Sequence, residues 1–225
     1  MTQTSSEHEL PDELIHELHE HLTPMASPWF EGLSHSLSFA NKHNARFVFR
    51  QQPHLWSLTA RAELRMYFEK HPLPPGWILG GDSRLMGQIV FINSEAGLNV
   101  DFLKENRRVH PGGIPPAGSS KSRRQRWATP ATLFELDGIH HTRADQIDLH
   151  FAWDYGRDAN EAVDLNTFQS RILHTTEAGQ FGRPVGCNFF FNILPNGELH
   201  TTKRFDGDAA EEDFFLKRDT NDKQQ

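Results

Sequence analysis

The sequence predicts a mixed α/β (α+β) protein, with N-terminal helices leading into a central, largely antiparallel sheet. Three observations predict it. Leu14, Leu18 and Leu22 recur at helical spacing; Ile147, Leu149, Phe151 and Trp153 alternate with polar residues at strand spacing; Pro195-Asn196-Gly197 separates two apolar runs as a hairpin turn does. A chain of 225 residues is long enough for a substantial core. Its hydrophobic fraction is only 36%, but 17 Phe and 5 Trp carry enough apolar area per residue to fill an interior. The expected organisation is an acidic helical arm over 1–44, a single α/β domain over 45–216 and a disordered tail over 217–225.

Taken in order, Ser6 and Glu9 have the spacing of a capping box ahead of the leucine helix. Ser27-Pro28 signals a second helix start, because proline at the first helical position loses no needed hydrogen bond; Trp29, Leu33, Leu37 and Ala40 supply its buried face. RFVFR, from Arg46 to Arg50, alternates as a strand does. A third helix is expected over Ser57 to Lys70 and ends at His71-Pro72, since the residue before proline is pushed out of helical geometry. Gln88 to Asn93 reads as a buried strand and Leu98 to Arg108 as a helix.

A ββα element is expected over 131–175. Leu133 to Ile139 and Ile147 to Trp153 are its strands, with Asp148, His150 and Asp154 on the face opposite Ile147 and Leu149. Asp164 would cap a following helix that buries Leu165, Phe168 and Ile172. The C-terminal hairpin closes the domain.

The formal net charge of −7 argues against a generic nucleic-acid binder, because phosphate binding draws on Lys and Arg. The charge is unevenly placed, however. Residues 1–41 hold seven acidic residues and no Lys or Arg, so the remainder carries 23 of each sign. Between 107 and 127 lie Arg107, Arg108, Lys121, Arg123, Arg124 and Arg126 with no acidic residue among them, in a Pro-, Gly- and Ser-rich loop. That is a local positive patch able to hold a phosphate backbone, and Trp127 either stacks on a base or anchors the loop. One cysteine, Cys187, rules out an intrachain disulfide and reads as a buried structural thiol. The opening MTQTSSEHEL lacks the segments of a secretory leader, and no apolar run suits a membrane span, so a cytoplasmic protein without a membrane partner is expected.

His140-His141 ends the first expected strand, Asn166 opens the third run and His174 lies near its end. This order resembles the HNH, or ββα-metal, endonucleases over about residues 133–175. The resemblance implies a divalent-metal-dependent endonuclease acting on DNA, of restriction or mobile-element kind. His141 would be the base, Asn166 its orienting amide, and His140 and His174 ligands to a cation such as Mg²⁺ or Zn²⁺. The six basic residues of the loop would hold the nucleic acid.

A second resemblance uses the same pair. GIHHT followed by GCNFFFNILPNGELHTTKR is similar, over about 136–206, to the amidase and peptidoglycan-recognition family, with Cys187 standing where that family carries its catalytic tyrosine. It implies a degenerate amidase-like fold. Outside both resemblances stands a non-enzymatic binding or regulatory protein that uses the basic loop.

Overall fold

The computed structural model describes residues 12–128 and 147–203. Helix α1 runs Asp12–His43, α2 runs Pro53–Lys70, and seven strands follow in one sheet: β1 Trp77–Gly80, β2 Val90–Asn93, β3 Leu98–Lys104, β4 Ile147–Arg157, β5 Val163–Thr175, β6 Cys187–Ile193 and β7 Leu199–Lys203. A short helix, α3 Lys121–Trp127, lies between β3 and β4. Spatial order equals chain order. Every neighbouring pair is antiparallel except β3 and β4. The protein is therefore α+β with a mixed, mainly antiparallel sheet, and the 105–146 stretch is the crossover that the single parallel pair requires.

Two helices were expected where one is found. Proline inside a helix forfeits a backbone bond and crowds the preceding turn, yet α1 passes through Pro24 and Pro28 without a break. The reason is packing: Leu18, Leu22, Met25, Ala26, Trp29, Leu33, Leu37 and Ala40 form one buried stripe that spans both prolines. Breaking the helix there would expose Met25, Ala26 and Trp29 together. The stretch expected as an arm thus supplies a large share of the core that also holds Phe91, Phe151, Ile172, Phe189 and Phe191 of the sheet. Gly32 lets α1 approach α2 closely, since a Cβ there would sit 3.0 Å from the rings of Tyr67 and Phe68.

Helix α2 starts with Pro53 at its first turn and ends at His71, whose backbone is extended as Pro72 demands. The expected strand at 46–50 is absent: residues 44–52 form successive turns, with Phe47 N–H donating to Asn44 O and Gln51 N–H to Val48 O. Its alternating aromatics serve the core instead, Phe49 packing edge-on against Trp56 at 5.2 Å.

Two further helices give way to strands. Leu98–Lys104 pairs with β2 and β4, burying Leu98, Val100 and Phe102 under the helices. Val163–Thr175 is a 13-residue strand, so the third element of the expected ββα unit is not helical. Leu165, Phe168 and Ile172 fit a helical stripe, but β4 presents a long edge and takes β5 in antiparallel register from His150↔Leu173 to Arg157↔Val163. The turn between them is held by Asp158, whose Oδ1 accepts from Asn160 N–H at 2.8 Å and Ala162 N–H at 2.9 Å. The first strand of that unit, 133–139, and the tail 217–225 lie outside the described residues.

The hairpin at 195–197 is as expected. Leu194 N–H donates to Glu198 O, and Gly197 takes φ 77°, a left-handed conformation that glycine adopts freely. The turn abuts α1, since a Cβ on Gly197 would lie 2.8 Å from the Ser27 Cβ.

Candidate nucleic-acid interface

The helices cover one face of the sheet. The other face carries Leu103, Ala152 and Leu173, and these pack beneath Ile114, Ala117, Trp127 and Val185. The cover is thus the basic 107–127 segment, expected as a loop throughout but folded at its end into α3, which carries Lys121, Arg123, Arg124 and Arg126, together with the loop between β5 and β6. Trp127 is its anchor: its ring is buried, its Nε1–H donates to Pro115 O at 3.2 Å, and it lies 4.0 Å from the His150 ring. Of the two roles open to Trp127 from sequence, the structure assigns the anchoring one.

Three of the six cations are engaged by neighbouring groups, and one of them, Arg126, ties the layer to the sheet. Arg126 pairs with Asp101 of β3, its Nη1 donating to both carboxylate oxygens at 2.8 Å. Arg107 donates from Nε to Glu105 Oε2 at 3.3 Å, and the same buried carboxylate receives Arg171 of β5 at 2.6 Å. Arg171 also donates to Gly112 O at 2.9 Å, tying the loop to the sheet. Arg123 lies over the Trp127 ring at 4.5 Å, a cation–π contact.

The other three point outward. Arg108, Lys121 and Arg124 are exposed, and none has a carboxylate partner among the described residues. The neighbouring loop is stitched on by Ala117 N–H donating to Ala178 O at 2.8 Å, and it adds exposed Arg183.

Of the expected histidine centre the structure describes His174 and Asn166, and these two do not converge. His174 lies at the end of β5, fully buried, with Nδ1 3.1 Å from Asn188 Nδ2 and its ring stacked on Phe189. Burial pushes its pKa down to about 4, so it stays neutral. Asn166 lies near the start of the same strand, exposed, its backbone N–H and Nδ2 both donating to Asp164 Oδ1. Eight residues of extended chain separate them by about 26 Å. One cation cannot be bound by His174 and served by Asn166. His140 and His141 lie outside the described residues, and among the described residues no group of three or more His, Cys, Asp or Glu side chains is placed to hold a metal ion.

Two titratable groups beneath the layer were visible in the β4 alternation but not singled out. His150 is fully buried, Nε2 lying 3.1 Å from Thr175 Oγ1. Burial, with minor contributions from His174, Arg123 and Arg126, lowers its pKa to about 3. His150 and His174 lie on opposite faces: His150 pairs with Leu173 of the second-face cluster, and His174 is the next residue along. Asp148, half-buried, accepts from Asn99 Nδ2 at 3.1 Å, and burial raises its carboxyl to about 6. Cys187 is a structural thiol, pushed up to about 12 by burial.

The chain is of the class of α+β domains whose sheet is capped on one face by helices and on the other by an anchored, outwardly basic layer. No family model, curated protein or solved structure matches the chain. Among the described residues no helix is long and apolar enough to cross a membrane.

Proposed function

We propose that this chain is a binding protein that takes the phosphate backbone of a nucleic acid on its loop layer. The observation that carries the reading is the division of labour among the loop cations. Arg126 fastens the segment to β3, and Arg107 and Arg123 are engaged by Glu105 and Trp127 close by in the chain, while Arg108, Lys121 and Arg124 stand exposed. Cations on a fastened loop lose less conformational freedom on contact than those on a free one. An overall charge of −7 makes the patch local, so orientation rather than general attraction brings a polyanion there.

The test is salt-dependent binding of a labelled oligonucleotide by fluorescence anisotropy. Three phosphate contacts predict that log K falls with log salt at a slope of about −2 to −3. The triple variant Arg108→Gln, Lys121→Gln, Arg124→Gln should lose most of that slope. No measurable binding at low salt by folded protein ends the proposal.

A second reading is metal-dependent cleavage of the bound polymer, and the Asp148 carboxyl favours it. Raised to about 6, this group can exchange a proton near neutrality, as a general acid or base must, and His141 lies seven residues before it in the chain. In this version the His140-His141 pair serves the cation without Asn166 or His174. Cleavage in Mg²⁺ or Mn²⁺ that chelator abolishes and His141→Ala removes would establish it; intact substrate leaves binding alone.

A further inference from the structure

The turn between β5 and β6 carries an aromatic ring that the fold does not use. Phe181 is 77% exposed, more than any other large hydrophobic side chain among the described residues. It does not sit on a loose loop. Arg183 N–H donates to Gln180 O at 3.2 Å, closing a four-residue turn with Phe181 at its first corner and Gly182, at φ 79°, at its second. Positive φ at the second corner is the signature of a type II turn, and its first corner faces solvent. Val185, buried in the second-face cluster, anchors the turn from one side. Gly179 permits this, because a Cβ there would lie 2.6 Å from Val185 Cγ2.

What surrounds the ring is aromatic and basic. His110 meets it edge-on, ring centroids 6.0 Å apart. Val109, the residue before, is 45% exposed, and Arg108 comes one earlier. Arg183 lies two residues beyond Phe181 and is exposed. An apolar ring held out to water, with an exposed arginine two residues after it and another two residues before the histidine that touches it, suits a planar apolar partner whose backbone carries phosphate. Nucleobases of a single strand present both chemistries at once, whereas a duplex hides its base faces in the stack.

We infer that the Gln180–Arg183 turn is a base-stacking platform that makes the interface selective for single-stranded nucleic acid. The inference rests on the phosphate-binding reading above and names its substrate. Arg108 and Arg183 take backbone phosphates next to a base laid on Phe181, and Lys121 and Arg124 follow the strand onward.

The experiment compares single-stranded and duplex oligonucleotides of equal length with the full chain, by anisotropy at fixed salt. Tighter binding of the single strand is expected. Phe181→Ala should weaken it about tenfold while leaving duplex binding unchanged, and Phe181→Trp should retain it. With so exposed a side chain, both variants should unfold in urea as the parent does. Equal affinity for both forms, with Phe181→Ala silent, overturns the platform and leaves backbone binding standing. Failure to bind either form is instead the failure of the phosphate-binding reading and takes this inference with it.

Discussion

Replacing Asp148 with asparagine removes one charge whose partial burial works against the fold. The side chain lies on β4, with Asn99 opposite it on β3 and Asp101 two residues further along that strand. Burial is the main cause of its raised pKa; the Asn99 hydrogen bond opposes it, Asp101 adds to it and Arg126 opposes it, the balance moving the carboxyl from 3.8 to about 6. A carboxyl raised in this way holds its proton more tightly folded than unfolded. Its contribution to stability is fully present below pH 3.8 and is lost as the pH rises through about 6. Above that window the ionised group costs about 3 kcal/mol if fully shielded, and solvent screening of a half-buried site reduces this to about 1–2 kcal/mol. Asp148→Asn keeps a carbonyl oxygen to accept from Asn99 Nδ2 and removes the charge. Urea unfolding followed by tryptophan fluorescence should find the variant more stable than the parent by about that amount at pH 7.5. The two should converge near pH 4. A difference independent of pH, or a parent that is more stable at pH 7.5, refutes the reasoning.

Two further outcomes follow from the same layer. Arg126→Ala leaves Asp101 buried without its cationic partner and should destabilise the protein by about 3 kcal/mol, with Asp101→Asn added to it recovering part of the loss; a urea midpoint shift worth under about 1 kcal/mol would show the pair to be dispensable. His150 and His174 are held neutral by burial, with pKa values near about 3 and about 4, so each contributes stability that is present above about pH 6.5 and lost as the pH falls. His150→Gln should therefore flatten the acid limb of the stability profile by about 1.4 kcal/mol per pH unit between pH 6 and 4, and an unchanged limb would contradict it.

The two expected helices that became strands show where sequence reading stops. In 164–175 the apolar residues Leu165, Phe168 and Ile172 satisfy a helical period, and nothing local forbids it. The decision was made elsewhere, by a β4 edge that needs a partner, and the one local sign was the Asp158 turn that aims the chain back along that edge. In 98–104 the alternation of Leu98, Val100 and Phe102 was present but was read as part of a longer helix. By contrast, the 195–197 hairpin and the end of α2 at His71-Pro72 rest on backbone constraints that tertiary context seldom overrides, and both stand. At α1 the opposite holds: two prolines argued for a break, and the buried stripe from Leu18 to Ala40 outweighed them.

The same distinction explains the site. Charge is legible in sequence, and the six loop cations were found by counting. Which of them are free to act is set in part by Asp101, a carboxylate outside the 107–127 stretch that meets Arg126 only because β3 runs beneath it; Glu105, by contrast, lies two residues before the Arg107 it engages. Phe181 is silent in the sequence for the complementary reason: a single aromatic among glycines has no periodicity, and its meaning comes from His110, some seventy residues earlier and in contact only because the two loops share one face. Neutralising the engaged cations Arg107, Arg123 and Arg126 should loosen the layer and weaken binding indirectly, with a loss of stability carried mainly by Arg126. Neutralising Arg108, Lys121 and Arg124 should weaken binding at constant stability. That contrast separates the two sets of cations in a way that their spacing along the chain does not.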